Sequence, residues 1–260
     1  MSTARTPASR VGVRAGLMLA VTAFAGLTAF AWPLFLRPES GVNPIQAPLL
    51  FAAVLPLILA VVVSELTTNG MDVKGLALLG VLSAVGAILR PIGAGTAGLE
   101  PMFFLLIVGG RVFGPGFGFA LGATSLFASS LLTAGVGAWL PYQMIAAGFV
   151  GLVAGLLPRA QGRAEIALLA GWGFVAGFAF GWLMDFAFWP FGIGNATQLS
   201  FDPTASAAEN VHTFVLYNLA TSFGWNLGRS LTSVALLILL GPGLLHVLRR
   251  ASRRAAFAPR

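Results

Sequence analysis

The feature that most constrains this chain is an uncharged stretch, since no Asp, Glu, Lys or Arg lies between Arg111 and Arg159. Its 47 residues are too many for one helix and enough for two bilayer-spanning helices of roughly 20 residues each. Only 9% of the 260 residues are charged and 57% are hydrophobic, whereas soluble domains carry about 25% charged residues. Because so few charges cannot cover a water-exposed surface, the sequence predicts an all-α polytopic membrane protein.

Eight apolar segments are candidate membrane crossings. They are 15–36, 46–63, 75–89, 101–109, 116–133, 138–157, 166–188 and 222–247. The first could instead be a signal peptide, because Ala29-Phe30-Ala31 resembles a cleavage site. Its 22 uncharged residues exceed the roughly 7–15 of a signal-peptide core, so the pattern favours a retained anchor. The segment 101–109 is short enough to be a re-entrant segment.

The distribution of cations supports eight crossings with both termini in the cytoplasm. Positive residues concentrate in cytoplasmic loops, and eight crossings place 12 of the 15 Lys and Arg residues on that side. A re-entrant 101–109 would put Arg111, Arg159, Arg163 and the C-terminal arginines outside. We therefore expect a multi-pass protein of the plasma membrane.

Small residues recur at every fourth position on several predicted helices, as they do where helices pack closely in lipid. Three rows favour packing within the chain: Gly114, Gly118 and Gly122; Ala147, Gly151 and Gly155; and Gly173, Gly177 and Gly181. A fourth region lies in the span 75–89, with Gly80 and Ala84 on one face and Ser83 and Ala87 on the adjacent face. This helix is a candidate docking surface for another subunit.

The sequence contains few of the patterns that catalysis would need. The sole lysine, Lys74, does not belong to a phosphate-binding loop, and the topology places His212 and His246 on opposite sides of the membrane. We expect no metal and no cofactor, and no nucleic acid as partner, because no solvated basic face is available. An integral membrane enzyme acting on a lipid or isoprenoid, and an assembly protein without a ligand, remain the alternatives.

Four charged residues fall in or near the outer half of the bilayer, where burying a charge costs roughly 2.5–3.5 kcal/mol. They are Arg90, Glu100, Asp185 and Arg229. Such residues either pair or contact a ligand, and an Asp185–Arg229 ion pair locking the last two helices is the structural alternative. Aromatic and amide side chains cluster around them on the same side. The candidate binding residues are these four together with Trp139, Tyr142, Gln143, Trp182, Asn218, Trp225 and Asn226.

The outer segment 190–221 is rich in Asn, Gln, Ser and Thr. A connection of that length between two spans suggests a lid or wall over a pocket.

Two stretches of the chain resemble a known family. The stretch 90–158 contains Arg-Pro-Ile-Gly-Ala-Gly-Thr-Ala-Gly-Leu-Glu and then the turn Phe-Gly-Pro-Gly-Phe-Gly at 113–118. It resembles the substrate-binding S component of energy-coupling factor (ECF) vitamin transporters. The segment 217–229 is similar to members of the cobalamin-specific type. The resemblance covers residues 74–254 as a six-helix core and leaves 1–73 as an extension with two added helices and 255–260 as a basic tail.

The resemblance implies a function and partners. An S component captures a vitamin outside the cell, with cobalamin favoured here, and delivers it through a membrane coupling protein driven by two cytoplasmic ATPases. The family's small-xxx-small docking motif on the first core helix matches Gly80/Ala84 or Ser83/Ala87. The loop 91–100 corresponds to the family's gate over the pocket.

Overall fold

The structure is a computed structural model that describes residues 13–31, 73–93, 96–137, 139–192 and 197–256. Within these ranges the chain forms nine α-helices and no β-strand, which confirms the all-α fold class. The helices are α1 (Val13–Phe30), α2 (Val73–Leu89), α3 (Met102–Phe113), α4 (Pro115–Leu132), α5 (Leu140–Leu156), α6 (Gly162–Gly192), α7 (Ala207–Thr221), α8 (Phe223–Leu239) and α9 (Gly241–Ala256). The predicted span 46–63 lies outside the described residues.

The helix α3 forms the centre of the bundle. All residues from Met102 to Gly110 are buried, and a helix that is apolar on every side lies either in a protein core or in the membrane. The Phe103 ring packs edge-on against Phe180 of α6 with centroids 4.9 Å apart. This central position accounts for the shortness and uniform apolarity of the segment 101–109.

The pair α4–α5 packs through glycine, as the small-residue rows predicted. A Cβ atom at Gly118 would overlap the backbone carbonyl of Gly151, and one at Gly122 would overlap that of Ala147. Because numbering rises along α4 while it falls along α5, the two helices are antiparallel. Backbones this close gain the dispersion contacts that hold helices together in lipid, which confirms the packing role of these two rows.

The third glycine row lets α8 approach α6. A Cβ atom at Gly177 would overlap Ser230, and one at Gly181 would overlap the side-chain amide of Asn226. The hydroxyl of Ser230 donates to the carbonyl of Phe174 at 2.7 Å. This row therefore also packs within the chain, and it positions the polar side chains of α8 against α6.

Two described helices, Pro115–Leu132 and Gly162–Pro190, are long and apolar enough to cross a membrane. A third candidate is the pair α8–α9, bent by 67° at its break. The helices α2, α3 and α5 are apolar but shorter. The protein is thus built from several apolar helices, and eight crossings with cytoplasmic termini remain a prediction.

The last predicted span, 222–247, is not one straight helix, although the bent pair that replaces it is long and apolar enough to be one broken span. The helix α8 ends at Leu239, and α9 starts at Gly241 in a new direction. Pro242 explains the break, because a proline inside a helix lacks the amide hydrogen and collides with the carbonyl four residues earlier. In α9, Leu245 and Leu248 are buried while His246, Arg250 and Arg253 are exposed.

The segment 190–221, which is predicted to lie outside the membrane, contains the helix α7, and a capping box starts this helix. The amide of Glu209 donates to Ser206 Oγ at 3.3 Å, and the Ser206 amide donates back to Glu209 Oε2 at 2.8 Å. The Ser206 hydroxyl also donates to Glu209 Oε2 at 2.8 Å, and the two hydrogen bonds that this carboxylate accepts from Ser206 lower the pKa of Glu209. Hydrogen bonds from the hydroxyl and amide of Thr204 lower the pKa of Asp202 in the same way.

An ion network joins three helices at the other end of the bundle. The buried carboxylate of Glu165 accepts from Arg111 Nε at 2.7 Å and from Arg249 Nη2 at 2.6 Å. Arg111 also donates to the carbonyls of Leu157 and Pro158. Glu165 precedes Asp185 on α6 by 20 residues, which corresponds to roughly 30 Å of helix. This network is therefore remote from Asp185 and the outer charged cluster.

The described part of the N-terminal extension packs on the core. Phe30 of α1 is buried and meets the Tyr142 ring edge-on at a centroid distance of 4.9 Å. Gly26 lies against Ile145 and Phe149 of α5. The division into an extension of 1–73, a core of 74–254 and a tail of 255–260 stays a prediction.

Candidate functional site

A cavity of about 270 Å³ lies between the ends of several helices and the loop that precedes α3. The structure brings seven of the eleven predicted binding residues together in its lining. They are Arg90, Glu100, Gln143, Asp185, Trp225, Asn226 and Arg229. The lining is completed by Met102, Leu126, Phe180, Gly181, Met184 and Ser222. Polar side chains are therefore gathered around a concave site with apolar walls, as in small-molecule pockets.

A second cavity of about 280 Å³ adjoins the first. Arg90, Glu100 and Trp225 line both cavities. The loop between α2 and α3 supplies most of the remaining wall, namely Pro91, Gly93, Gly98 and Leu99. Trp225 is 45% exposed, so its indole forms an accessible boundary between the two spaces.

The hydrogen-bond donors of Arg229 are committed within the protein. Its Nε and Nη2 donate to Oε2 and Oε1 of Glu100 at 2.9 and 3.2 Å. Its Nη1 donates to the carbonyl of Gly177 at 3.2 Å and to Asn226 Oδ1 at 3.0 Å. A bidentate pair of this kind fixes both partners in orientation. Arg229 thus connects α8, α6 and the loop before α3.

The ion pair of Arg229 corrects the structural alternative considered from the sequence. Among the described residues, the carboxylate in ion-pair contact with Arg229 belongs to Glu100 and not to Asp185. The guanidinium carbon also lies 5.6 and 5.1 Å from the ring centroids of Phe103 and Phe180. Aromatic faces stabilise a desolvated cation in this arrangement.

A chain of hydrogen bonds leads from Arg229 to Asp185. Asn226 accepts from Arg229 and donates through Nδ2 to Asn218 Oδ1 at 3.4 Å. Asn218 donates through its own Nδ2 to Asp185 Oδ2 at 2.6 Å. Both amides are buried, so their hydrogen bonds satisfy groups that would otherwise be costly to desolvate. Asn218 therefore positions Asp185 from behind the cavity wall.

Arg90 enters the cavity from the end of α2. Its Nη2 donates to Gln143 Oε1 at 3.1 Å, and no described carboxylate is in ion-pair contact with it. Gln143 lies in the first turn of α5, two residues after Pro141. The neutral Gln143 orients the guanidinium without neutralising its charge.

The loop between α2 and α3 lies directly on the first turns of α8. Gly98 has a φ of +79°, and a Cβ atom there would overlap the carbonyl of Trp225. A Cβ atom at Gly228 would overlap the carbonyl of Ala97, whose own φ is +45°. Only glycine permits this approach, and it holds Glu100 within reach of Arg229.

Three predicted binding residues lie outside the cavity lining, in addition to Asn218. Trp139 is 47% exposed, and its Nε1 donates to the carbonyl of Gly135 at 3.2 Å. Tyr142 is buried against aromatic rings of α1 and α6. Trp182 packs edge-on against Phe214 of α7 at a centroid distance of 5.8 Å. Of the predicted aromatic residues, Trp225 therefore lines the cavity, whereas Tyr142 and Trp182 pack against other aromatic rings.

Sequence reasoning missed the apolar and small members of the lining. Met102, Leu126, Phe180 and Met184 look like ordinary core residues, since their chemistry gives no sign of a cavity. Ser222 had a usable signal, because it lies between Asn218 and Asn226 in the segment that also supplies Arg229 to the polar wall. Spacing of four residues places these three side chains on one side of the chain.

The structure separates the two halves of the candidate docking surface on α2. Ser83 and Ala87 are 6% and 1% exposed, and Ser83 Oγ lies 2.6 Å from Thr124 Oγ1 of α4. Both residues are thus buried within the chain, and Ser83 contacts α4, so the docking role stays a prediction for Gly80 and Ala84. Gly80 and Ala84 are exposed, and nothing lies within 4 Å of a Cβ atom built at Gly80.

The exposed face of α2 is strongly apolar. Val73, Leu76, Val81 and Ile88 are each more than half exposed. In a membrane protein such a face meets lipid or another subunit. The described residues contain no group of three or more His, Cys, Asp or Glu side chains that could hold a metal ion.

An all-helical apolar bundle with a charged cavity at one end defines a membrane-embedded small-molecule-binding protein. The family model for the substrate-specific component of ECF transporters matches residues 74–243, which is 170 of the 260 residues. The chain belongs to this family, which is one of transporters and not of enzymes. Neither the curated proteins nor the solved structures contain a match to the chain.

Proposed function

We propose that this protein captures a vitamin or related micronutrient in the cavity between α2, α6 and α8 and delivers it to an ECF coupling protein. The observation that carries the proposal is the cavity itself, in which charged and amide side chains from α5, α6, α8 and the loop between α2 and α3 converge. Family membership supports a substrate-binding transporter subunit. Capture from outside the cell follows the predicted topology, in which the cavity end faces outward.

The exposed Gly80 and Ala84 face of α2 is the proposed docking surface for the coupling protein. Small residues on a lipid-facing helix let a partner helix approach closely, and α2 offers this face without any other described helix covering it. Two cytoplasmic ATPases would supply the energy in the same complex. Separate ATPase subunits are consistent with this chain, because its only lysine is not in a phosphate-binding loop.

The size of the cavity bears on which substrate is bound. Small-molecule pockets span roughly 300–1,000 Å³, and the cavity of about 270 Å³ lies at the lower end. Cobalamin, with its corrin ring and nucleotide arm, would have to merge both cavities and displace the loop before α3. A small vitamin would need less rearrangement of this kind, so we favour one over cobalamin.

Two measurements on the purified full-length protein test the proposal. Equilibrium binding with cobalamin, riboflavin, thiamine, biotin and queuosine precursors should reveal one ligand of submicromolar affinity. Affinity purification from membranes should recover a coupling protein and two ATPases with the chain. Absence of both results would favour the alternative of a membrane enzyme or a scaffold.

A further inference from the structure

The cavity keeps two charges that the protein does not neutralise by direct pairing. Glu100 and Arg229 satisfy each other through two hydrogen bonds. Arg90 and Asp185 also line the cavity, and neither is in ion-pair contact with any described residue. We infer that the substrate is a small molecule with an anionic group bound by Arg90 and a cationic group bound by Asp185. This inference rests on the proposed capture function.

The partners of Arg90 leave its charge available to a ligand. Its contact with Gln143 uses one amide oxygen, which carries no net charge. Arg90 lines both cavities. An arginine fork in this setting suits a carboxylate or phosphate group.

Asp185 is positioned to bind the cationic group of the substrate. Its Oδ2 accepts the short hydrogen bond from Asn218, which fixes the carboxylate at the cavity wall without adding a positive charge. Asn218 is itself held by Asn226, so the chain of amides ends on Asp185. A carboxylate positioned in this way suits an amine or another cationic group.

Arg90 directly follows the last residue of α2 and Asp185 belongs to α6, and the two charges do not tie these elements to each other. A purely structural role would bring a buried cation and anion into contact, as Glu100 and Arg229 show in the same cavity. A neutral ligand would strip water from Arg90 and Asp185 without replacing it, which costs binding energy. A ligand with both charges compensates each of them.

Four pyridoxine derivatives form a matched set of probes for this inference. Pyridoxine carries neither group, pyridoxamine the amine, pyridoxine 5′-phosphate the phosphate, and pyridoxamine 5′-phosphate both. Their affinities would be measured by calorimetry on the purified full-length wild-type protein, Arg90→Gln and Asp185→Asn. Arg250→Gln, which removes an exposed arginine of α9, is the matched control.

Each charged group should raise the affinity of the wild-type protein by about tenfold or more. Arg90→Gln should abolish the gain from the phosphate and keep the gain from the amine. Asp185→Asn should do the reverse, so the retained preference in each variant shows that the protein is folded. Arg250→Gln should keep both gains.

Three results would overturn the inference. They are equal affinity for all four probes, gains that survive both cavity substitutions, and no binding of pyridoxamine 5′-phosphate at millimolar concentration. The proposed function fails separately, through loss of the coupling protein and ATPases from the same preparations. A charge-independent ligand together with those partners would refute only the inference.

Discussion

Arg229 of α8 and Glu100 of the loop before α3 form a bidentate ion pair across 129 residues of sequence, with N–O distances of 2.9 and 3.2 Å. The pair ties the wall of the cavity to the loop that covers part of it. The buried guanidinium of Arg229 also lies beside two phenylalanine rings and donates to two further oxygen atoms. The pair thus adds a contact between opposite charges to the close backbone approach of the loop to α8.

Breaking this pair should destabilise the fold. Glu100→Gln leaves the buried Arg229 charge without its partner, and we expect the free energy of unfolding to fall by about 1–3 kcal/mol. Thermal unfolding in detergent measures the change. Because removing both charges avoids a stranded cation, the double variant Glu100→Gln/Arg229→Met should regain part of the loss. Additive losses would contradict this account.

A side chain at Gly228 should prevent the close approach of the loop to α8. Gly228→Ala would press its methyl group into the carbonyl of Ala97, so we expect a lower melting temperature and weaker ligand binding. Gly224→Ala, one turn earlier on α8, meets no atom within 4 Å and should be neutral. Equal effects of the two substitutions would show that the loop does not rest on α8.

Docking of the coupling protein should depend on the exposed face of α2 that carries the small residues Gly80 and Ala84. Gly80→Leu adds a bulky side chain where nothing of this chain lies within 4 Å, so ligand binding should be unchanged while the coupling protein no longer co-purifies. Gly171→Leu makes the same change at another open position, on α6, and should keep the partner. Retained association in Gly80→Leu would place the interface elsewhere.

The start of α7 should loosen in acid. The folded-state pKa values of Asp202 and Glu209 lie below the ordinary 3.8 and 4.5. A lowered carboxyl pKa stabilises the fold fully above the ordinary value, and the stabilisation is lost as pH falls through the folded value. Hydrogen exchange at residues 207–210, corrected for intrinsic rates, should show constant protection above about pH 5 and declining protection below it.

Glu209→Gln provides the control for this pH dependence. Glutamine can still accept from Ser206 in a capping box, but it does not titrate. The decline of protection in acid should therefore become shallower in this variant. Identical pH profiles for the variant and the wild-type protein would rule out Glu209 as the titrating group.

Much of the site could be predicted because buried charge is expensive in lipid. Arg90, Glu100, Asp185 and Arg229 stood out in a chain with few charges, and all four line the cavity. Their pairing could not be predicted, because Glu100 precedes Arg229 by 129 residues and composition does not tell which carboxylate reaches the guanidinium. Only the close approach of the loop to α8 decides that.

Small-residue spacing predicts close packing but not the partner. Gly80/Ala84 and Ser83/Ala87 have the same spacing on one helix, yet only the second pair faces α4. The break before α9 was predictable from Gly241-Pro242-Gly243, although hydropathy alone joined the two helices into one span. For the aromatic residues, the sequence does not tell core positions from cavity positions. Tyr142 in the core and Trp225 at the cavity are each followed by an amide residue.

The most direct test of the account identifies the small molecule retained by the purified protein. Mass spectrometry of extracts would compare the wild-type protein with the double variant Arg90→Gln/Asp185→Asn, each isolated folded from the same cells. We predict one micronutrient-sized molecule, bearing both an anionic and a cationic group, that is enriched in the wild-type protein and absent from the variant. Identical small-molecule profiles for the two proteins would contradict capture in this cavity.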